Sequence, residues 1–168
     1  IKYMKIKLIL VLSLFIFSCN NTNNTKEKFQ YERVKEEPTI VQGNMVSNTV
    51  TLNSNDQMKF DRKMIKVNSN EKVTLTLNHT GRFPASSMGH NFVLLKKDID
   101  VNEYALRAAG ARDTEYIPDG GNELVYTKML GGGESDTITF DAPEPGTYIF
   151  ICSFPGHYQL MMGEFIVN

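Results

Sequence analysis

Tryptophan is absent, and the chain of 168 residues holds only three histidines and two cysteines. Two cysteines exclude the disulfide framework that staples small secreted domains. Three histidines exclude a second histidine-rich metal cluster once a first is built. Charge of one sign is missing too: 18 basic and 19 acidic residues leave a formal net charge of -1. They are interspersed, with no basic stripe and no acidic tail, so nothing argues for nucleic acid as a partner. The apolar run from Leu8 to Phe17 is too short to cross a bilayer comfortably.

That run fits another use. Lys5 and Lys7 precede it and Ser18-Cys19 follows, the layout of a signal peptide. Ile16-Phe17-Ser18-Cys19 is similar to a bacterial lipobox, which implies cleavage before Cys19 and a lipid on its sulfur. The expected organisation is a signal peptide over residues 1–18, lipidated Cys19 with a flexible tether over 19–44, and one domain over 45–168. The tether, NNTNNTKEKFQYERVKEEPTIVQGN, is polar and Asn-rich and lacks apolar periodicity. The expected location is the bacterial cell envelope, with the domain facing the periplasm and held to a membrane. A lipid on Cys19 would leave Cys152 without a disulfide partner, and a lone thiol in an oxidising compartment calls for burial or a metal.

The domain is written in short runs rich in Val, Ile, Thr, Tyr and Phe: NTVTLNS, KMIKVNS, KVTLTLNH, HNFVLLK, ELVYTKM, DTITFDA, GTYIFICSF and GEFIVN. Several alternate with period two, and turn residues as in NSNE, GGGES and APEPG divide them. The fold class this predicts is an all-β sandwich or barrel. VNEYALRAAGARD, residues 101–113, breaks the pattern with helix formers and reads as one short helical excursion, with Gly110 as its stop. Period two puts Val73, Leu75, Leu77 and His79 on one strand face, and Tyr148, Phe150 and Cys152 on another.

CSFPGHYQLM places Cys152, His157 and Met161 in one segment. Pro155-Gly156 bends it, so it is a loop leaving a strand and can aim three side chains at one centre. Thiolate, imidazole and thioether together suit copper; a blue-copper site of two His, one Cys and a distant Met needs one more histidine. His90 and His79 remain. His90 is the better candidate, since Gly89 before it leaves a carbonyl approachable at the mouth of a strand. His79 follows an apolar strand and reads first as a buried, hydrogen-bonded histidine, near enough to the site to titrate with its redox state.

At these residues the chain resembles the azurins, of the cupredoxin family of small blue-copper proteins. NDQMKF (55–60), MGHNFVL (88–94), TKMLGGGESDTITFD (127–141) and CSFPGHYQLMMG (152–163) carry the resemblance, which covers residues 47–168. It implies a cupredoxin-like Greek-key β-sandwich and one type 1 copper per chain. It implies His90, Cys152 and His157 as equatorial ligands, Met161 as the weak axial ligand and the Gly89 carbonyl opposite. It also implies that Asn91 ties two ligand loops together, that the Asn91 and Phe154 N–H groups donate to the Cys152 sulfur, and that His79 is the redox-linked histidine. The departures are a missing disulfide, whose positions fall at about Asn48 and Glu71, Phe92 in place of tryptophan, and Tyr158-Gln159 where azurins have small residues.

Function then divides into electron transfer and a copper carrier or store. An enzyme is not expected, because catalytic relatives need a second copper centre and the histidines are spent. For electron transfer, His157 would be the exit. Met58, Phe83, Met88, Phe154, Pro155 and Leu160 would form an apolar patch around it for transient redox proteins, cytochrome c-like or copper or haem oxidoreductases.

Overall fold

The computed structural model describes residues 46–168; the signal segment, Cys19 and the tether lie outside the described residues. In chain order the elements are β1 (Thr49–Asn55), β2 (Lys59–Phe60), β3 (Met64–Val67), β4 (Lys72–His79), α1 (Ala85–Met88), β5 (Val93–Leu95), α2 (Val101–Gly110), a 3-10 turn (Arg112–Thr114), β6 (Glu123–Tyr126), β7 (Ser135–Asp141), β8 (Gly146–Ile151) and β9 (Met162–Val167). One sheet has the order β2-β1-β4-β7 and the other β3-β9-β8-β5-β6. β1 pairs β4 in parallel and β3 pairs β9 in parallel, while the remaining ladders are antiparallel. The chain therefore changes sheet repeatedly, as a Greek-key β-sandwich does.

Alternation builds the core between the sheets. In β4, Val73, Leu75, Leu77 and His79 are buried, while Thr74, Thr76 and Asn78 are half-buried on the other face. There Thr76 and Thr137 pair their hydroxyls across the ladder at 2.8 Å. The inward residues join Leu52 of neighbouring β1 and, from the other sheet and the loop leading into it, Phe92, Leu94, Phe150 and Phe165 in one core, and each fully buried Val, Leu or Phe stabilises the fold by roughly 1.5–3 kcal/mol.

β5 does not alternate, because both of its faces are covered. Leu94 joins the central core, whereas Val93 and Leu95 join Tyr104, Ala108 and Ile151 in a second cluster under α2. Its sequence is accordingly an unbroken apolar run. Burial and a hydrogen bond to Glu123 push the Tyr104 hydroxyl well above its ordinary pKa.

The helical excursion expected near residues 101–113 is α2 followed by the 3-10 turn Arg112–Thr114. The Asp100 carboxylate caps α2 by accepting from the N–H groups of Asn102 (2.8 Å) and Glu103 (3.1 Å). Gly110 is the last helical residue, and Ala111 closes the end by donating to the Ala108 carbonyl at 2.9 Å. Two elements lie outside the expected strands, the two-residue β2 and the four-residue α1; both are too short to show periodicity.

Candidate metal centre

Two loops reach the same end of the sandwich. The first runs from α1 into β5 and carries Gly89, His90 and Asn91. His90 and Leu130 exchange backbone hydrogen bonds at 3.0 and 2.8 Å, an isolated antiparallel bridge that fixes the His90 backbone. Gly89 is required by close packing: a Cβ there would lie 2.5 Å from the Ala85 carbonyl oxygen and 2.8 Å from the Met129 sulfur.

The second loop joins β8 to β9. Phe154-Pro155-Gly156-His157 forms a turn closed by His157 N–H donating to the Phe154 carbonyl at 3.0 Å. Proline presets the second position, and glycine at φ 81° supplies the left-handed third position of a type II turn. The His157 carbonyl then accepts from Leu160 (3.0 Å) and Met161 (2.8 Å), and Cys152 N–H donates to the Met161 carbonyl at 2.9 Å. One helical turn separates His157 from Met161, which sets both on one side of the loop.

Cys152, His90, His157 and Met161 are all buried, His157 with 4% of its surface exposed. The Cys152 sulfur is 3.8 Å from His157 Nδ1 and 3.8 Å from the Gly89 carbonyl oxygen. The His157 ring meets the His90 ring edge-on at 5.1 Å, and the His79 ring stacks on His90 at 4.2 Å. Neither ring nitrogen of His90 has a hydrogen-bond partner although both are buried. An orphaned buried imidazole is costly unless something binds it, and a metal ion is the ligand that these neighbours suit. The candidate donors are of mixed type, two imidazoles, a thiol and a thioether, all buried.

The electrostatics suit a soft cation. Burial, and then the neighbouring His79 and His157, lower the His90 pKa to about 3. Burial and His79 lower that of His157 to about 4. Both rings are therefore neutral and offer lone pairs at ordinary pH. Burial pushes the Cys152 thiol up to about 12, against the backbone N–H groups of Asn91 and Phe154, which favour the thiolate. A cation would do what burial opposes and hold the sulfur deprotonated.

Around these groups Asn91 links the two loops. Its side-chain NH2 donates to Ser153 Oγ at 2.8 Å, and its Oδ1 accepts from Ser153 N–H at 2.9 Å, all of it buried. His79 is satisfied. Gly81 N–H donates to Nδ1 at 3.0 Å, so the network assigns the ring proton to Nε2, which lies 2.9 Å from the Met88 carbonyl. The apolar positions differ in exposure. Phe83 (54%) and Leu160 (52%) are open to solvent with Pro155, whereas Met58, Met88 and Phe154 are half-buried. Phe154 lies against the His157 ring at 4.6 Å and meets Tyr116 edge-on at 5.2 Å. Sequence reasoning does not single out Ser153, Tyr116 or Lys63. Only Ser153 carried a signal, a polar residue beside the cysteine in an apolar strand.

A two-sheet Greek-key sandwich with Cys, His and Met donors on loops at one end defines the cupredoxin class. Residues 46–168 match the family described as copper binding proteins, plastocyanin/azurin family. Azurin of Bordetella pertussis is 45% identical over 121 residues, covering 68% of this chain and 80% of that protein. Outer membrane protein H.8 of Neisseria gonorrhoeae is 42% identical over 118 residues, covering 68% of this chain. The match spans 64% of the length of the H.8 protein. Among solved structures, dithionite-reduced auracyanin of Roseiflexus castenholzii superposes with a TM-score of 0.67 at 34% identity, covering 74% of this chain and 99% of that one. The chain belongs to the plastocyanin/azurin family of copper-binding proteins and is an azurin-like cupredoxin. As a member of that family its cofactor is copper.

Proposed function

We propose that His90, Cys152 and His157 would hold one type 1 copper, with Met161 as a weaker thioether donor and the Gly89 carbonyl as a further contact, and that the chain shuttles single electrons between redox proteins of the cell envelope. The observation that carries this is His90: a buried imidazole with both nitrogens unpartnered, next to His157, whose Nδ1 is 3.8 Å from a buried thiol. Bound copper would supply the one-electron Cu(I)/Cu(II) couple that no side chain here has.

The residues around the site do the rest. Cys152 gives up its proton on loading, and the N–H groups of Asn91 and Phe154 steady the thiolate. His90 and His157 are neutral beforehand and release none. Burial keeps water from the donors, so little solvent has to reorganise when charge moves. His157, 4% exposed, shares its loop with exposed Pro155 and Leu160. With Phe83 these suit brief docking of a cytochrome c-like or copper or haem redox partner, half-buried Met58 and Met88 adding less area. A copper carrier needs an open, exchangeable site; buried donors on cross-linked loops favour retention. The single centre favours a carrier of electrons over an enzyme.

The lipobox-like segment and the likeness to an outer membrane protein support a lipid anchor at Cys19 and a periplasm-facing domain. The copper-loaded chain should be intensely blue, bleach reversibly on reduction, and lose the colour in Cys152→Ser. A colourless Cu(II) form, or one indifferent to that substitution, overturns the electron-transfer reading. Cys19→Ala should move the chain from the membrane to the soluble fraction; a wild type already fully soluble refutes the anchor.

A further inference from the structure

Two side chains outside the ligand set grip the half of the ligand loop that carries His157 and Met161. Tyr158 follows His157 directly. Its ring packs with Val101 and Ile117 against the small core under α2, and its hydroxyl donates to Asn102 Oδ1 at 3.1 Å. Asn102 stands in the first turn of α2, which the Asp100 cap secures. The loop is thus tied to a helix resting on the outer face of the five-stranded sheet.

Lys63 holds the next part of the loop. Its Nζ donates to the Leu160 carbonyl and, at 3.0 Å, to the Met162 carbonyl, the residues on either side of Met161. The Met161 carbonyl itself accepts from Cys152 N–H. Three successive carbonyls around this side chain are therefore engaged. Lys63 is fixed in turn, because its own carbonyl accepts from Glu164 N–H at 2.9 Å. Its ammonium is partly desolvated, which lowers its pKa from the ordinary lysine value.

Connecting loops are ordinarily the mobile parts of a sandwich, and single exposed hydrogen bonds are weak. These land on the residues that follow one donor and flank the other, and they tie the loop to two different elements. Movement of this loop would change the separation of His157 and Met161 from Cys152.

We propose that Tyr158 and Lys63 are positioning residues of the metal centre, Tyr158 acting through His157 and Lys63 through Met161, so that the loop keeps one geometry while the metal changes charge.

The proposal rests on the copper reading, and its test separates the two. Tyr158→Phe, Tyr158→Ala, Lys63→Met and Lys63→Arg are compared with the wild-type chain in two ways. One is amide hydrogen exchange of the metal-free chain; the other is the rate at which a Cu(I) chelator strips the reduced, copper-loaded chain. Tyr158→Ala and Lys63→Met should speed exchange at the His157 and Met161 amides about fivefold or more, the factor one hydrogen bond is worth. The β4 amides should stay unchanged, and copper loss should quicken by a similar factor. Tyr158→Phe keeps the ring and should do less, and Lys63→Arg should behave as wild type.

Unchanged loop exchange overturns the proposal. So does an equal rise in the β4 amides, which marks general destabilisation, and so does local loosening without faster copper loss. A wild type that takes up no copper overturns the copper reading and this proposal together. A wild type that holds copper, with indifferent variants, overturns the proposal alone.

Discussion

At the residue scale the site is defined by donors kept from their ordinary protonation. His90 and His157 have pKa values near 3 and 4, below the 6.5 of the free side chain. As pH falls below about 6.5 the unfolded chain takes up protons that the folded chain refuses, so stability drops until the folded values are reached. Cys152 acts in the other direction. Its pKa of about 12 in the fold lies above the ordinary 9.0, so above about pH 9 the unfolded chain loses a proton that the folded chain keeps, and stability falls again. The metal-free domain should therefore be most stable between these limits. Thermal unfolding of the metal-free protein checks this: Tm should decline from about pH 7 to about pH 5, before most carboxylates titrate. A flat profile there would refute the burial of neutral imidazoles. Cys152, His157 and Met161 were visible as candidates because three soft or borderline donors within one short segment have few other uses. Whether His90 or His79 joins them turns on hydrogen bonds. His79 has Gly81 and the Met88 carbonyl, while His90 has neither, and neither partnership is written in local spacing.

At the scale of elements, the strands followed from period-two patterning and the helix from a run of helix formers. The helix has a further determinant in Asp100, whose two accepted bonds satisfy N–H groups left open at any helix start. Asp100→Ala should cost about 1 kcal/mol, read as a lower midpoint in urea with unchanged slope. Because Asn102 lies in that first turn, the same variant should loosen Tyr158 without touching a donor to the metal. β2 and α1 escaped the pattern because two and four residues carry no period. The turn at Pro155-Gly156, by contrast, was legible from its residue types alone, since proline and glycine answer the two backbone demands of a type II turn.

At the scale of the molecule, the sandwich holds the donors apart from their own unfolded chain, so metal affinity and folding stability are linked. Anything that binds only the folded state stabilises it by mass action. With free copper about a thousandfold above Kd, loading should add about 4 kcal/mol, a rise in Tm on the order of 15 °C for a domain of this size. Calorimetry of loaded and chelator-treated protein checks it; equal midpoints would show that the metal does not bind the folded site. Such support matters here, because the described residues contain one cysteine, Cys152, which is free, and the core and metal must stabilise the domain without a disulfide.

The sequence by itself determined what depends on neighbours along the chain: the alternation that makes strands, the turn that bends the ligand loop, and the cluster of sulfur and nitrogen donors at Cys152, His157 and Met161. Only the tertiary structure decided what depends on approach through space. It brought His90 beside His157 across 67 positions of chain, left its nitrogens without partners, and buried Ser153 against Asn91. It also packed Tyr158 against the small core under α2, with its hydroxyl on Asn102. The reason is physical: backbone preference acts over a few residues, whereas burial and hydrogen-bond pairing are settled only when the two sheets close on one another.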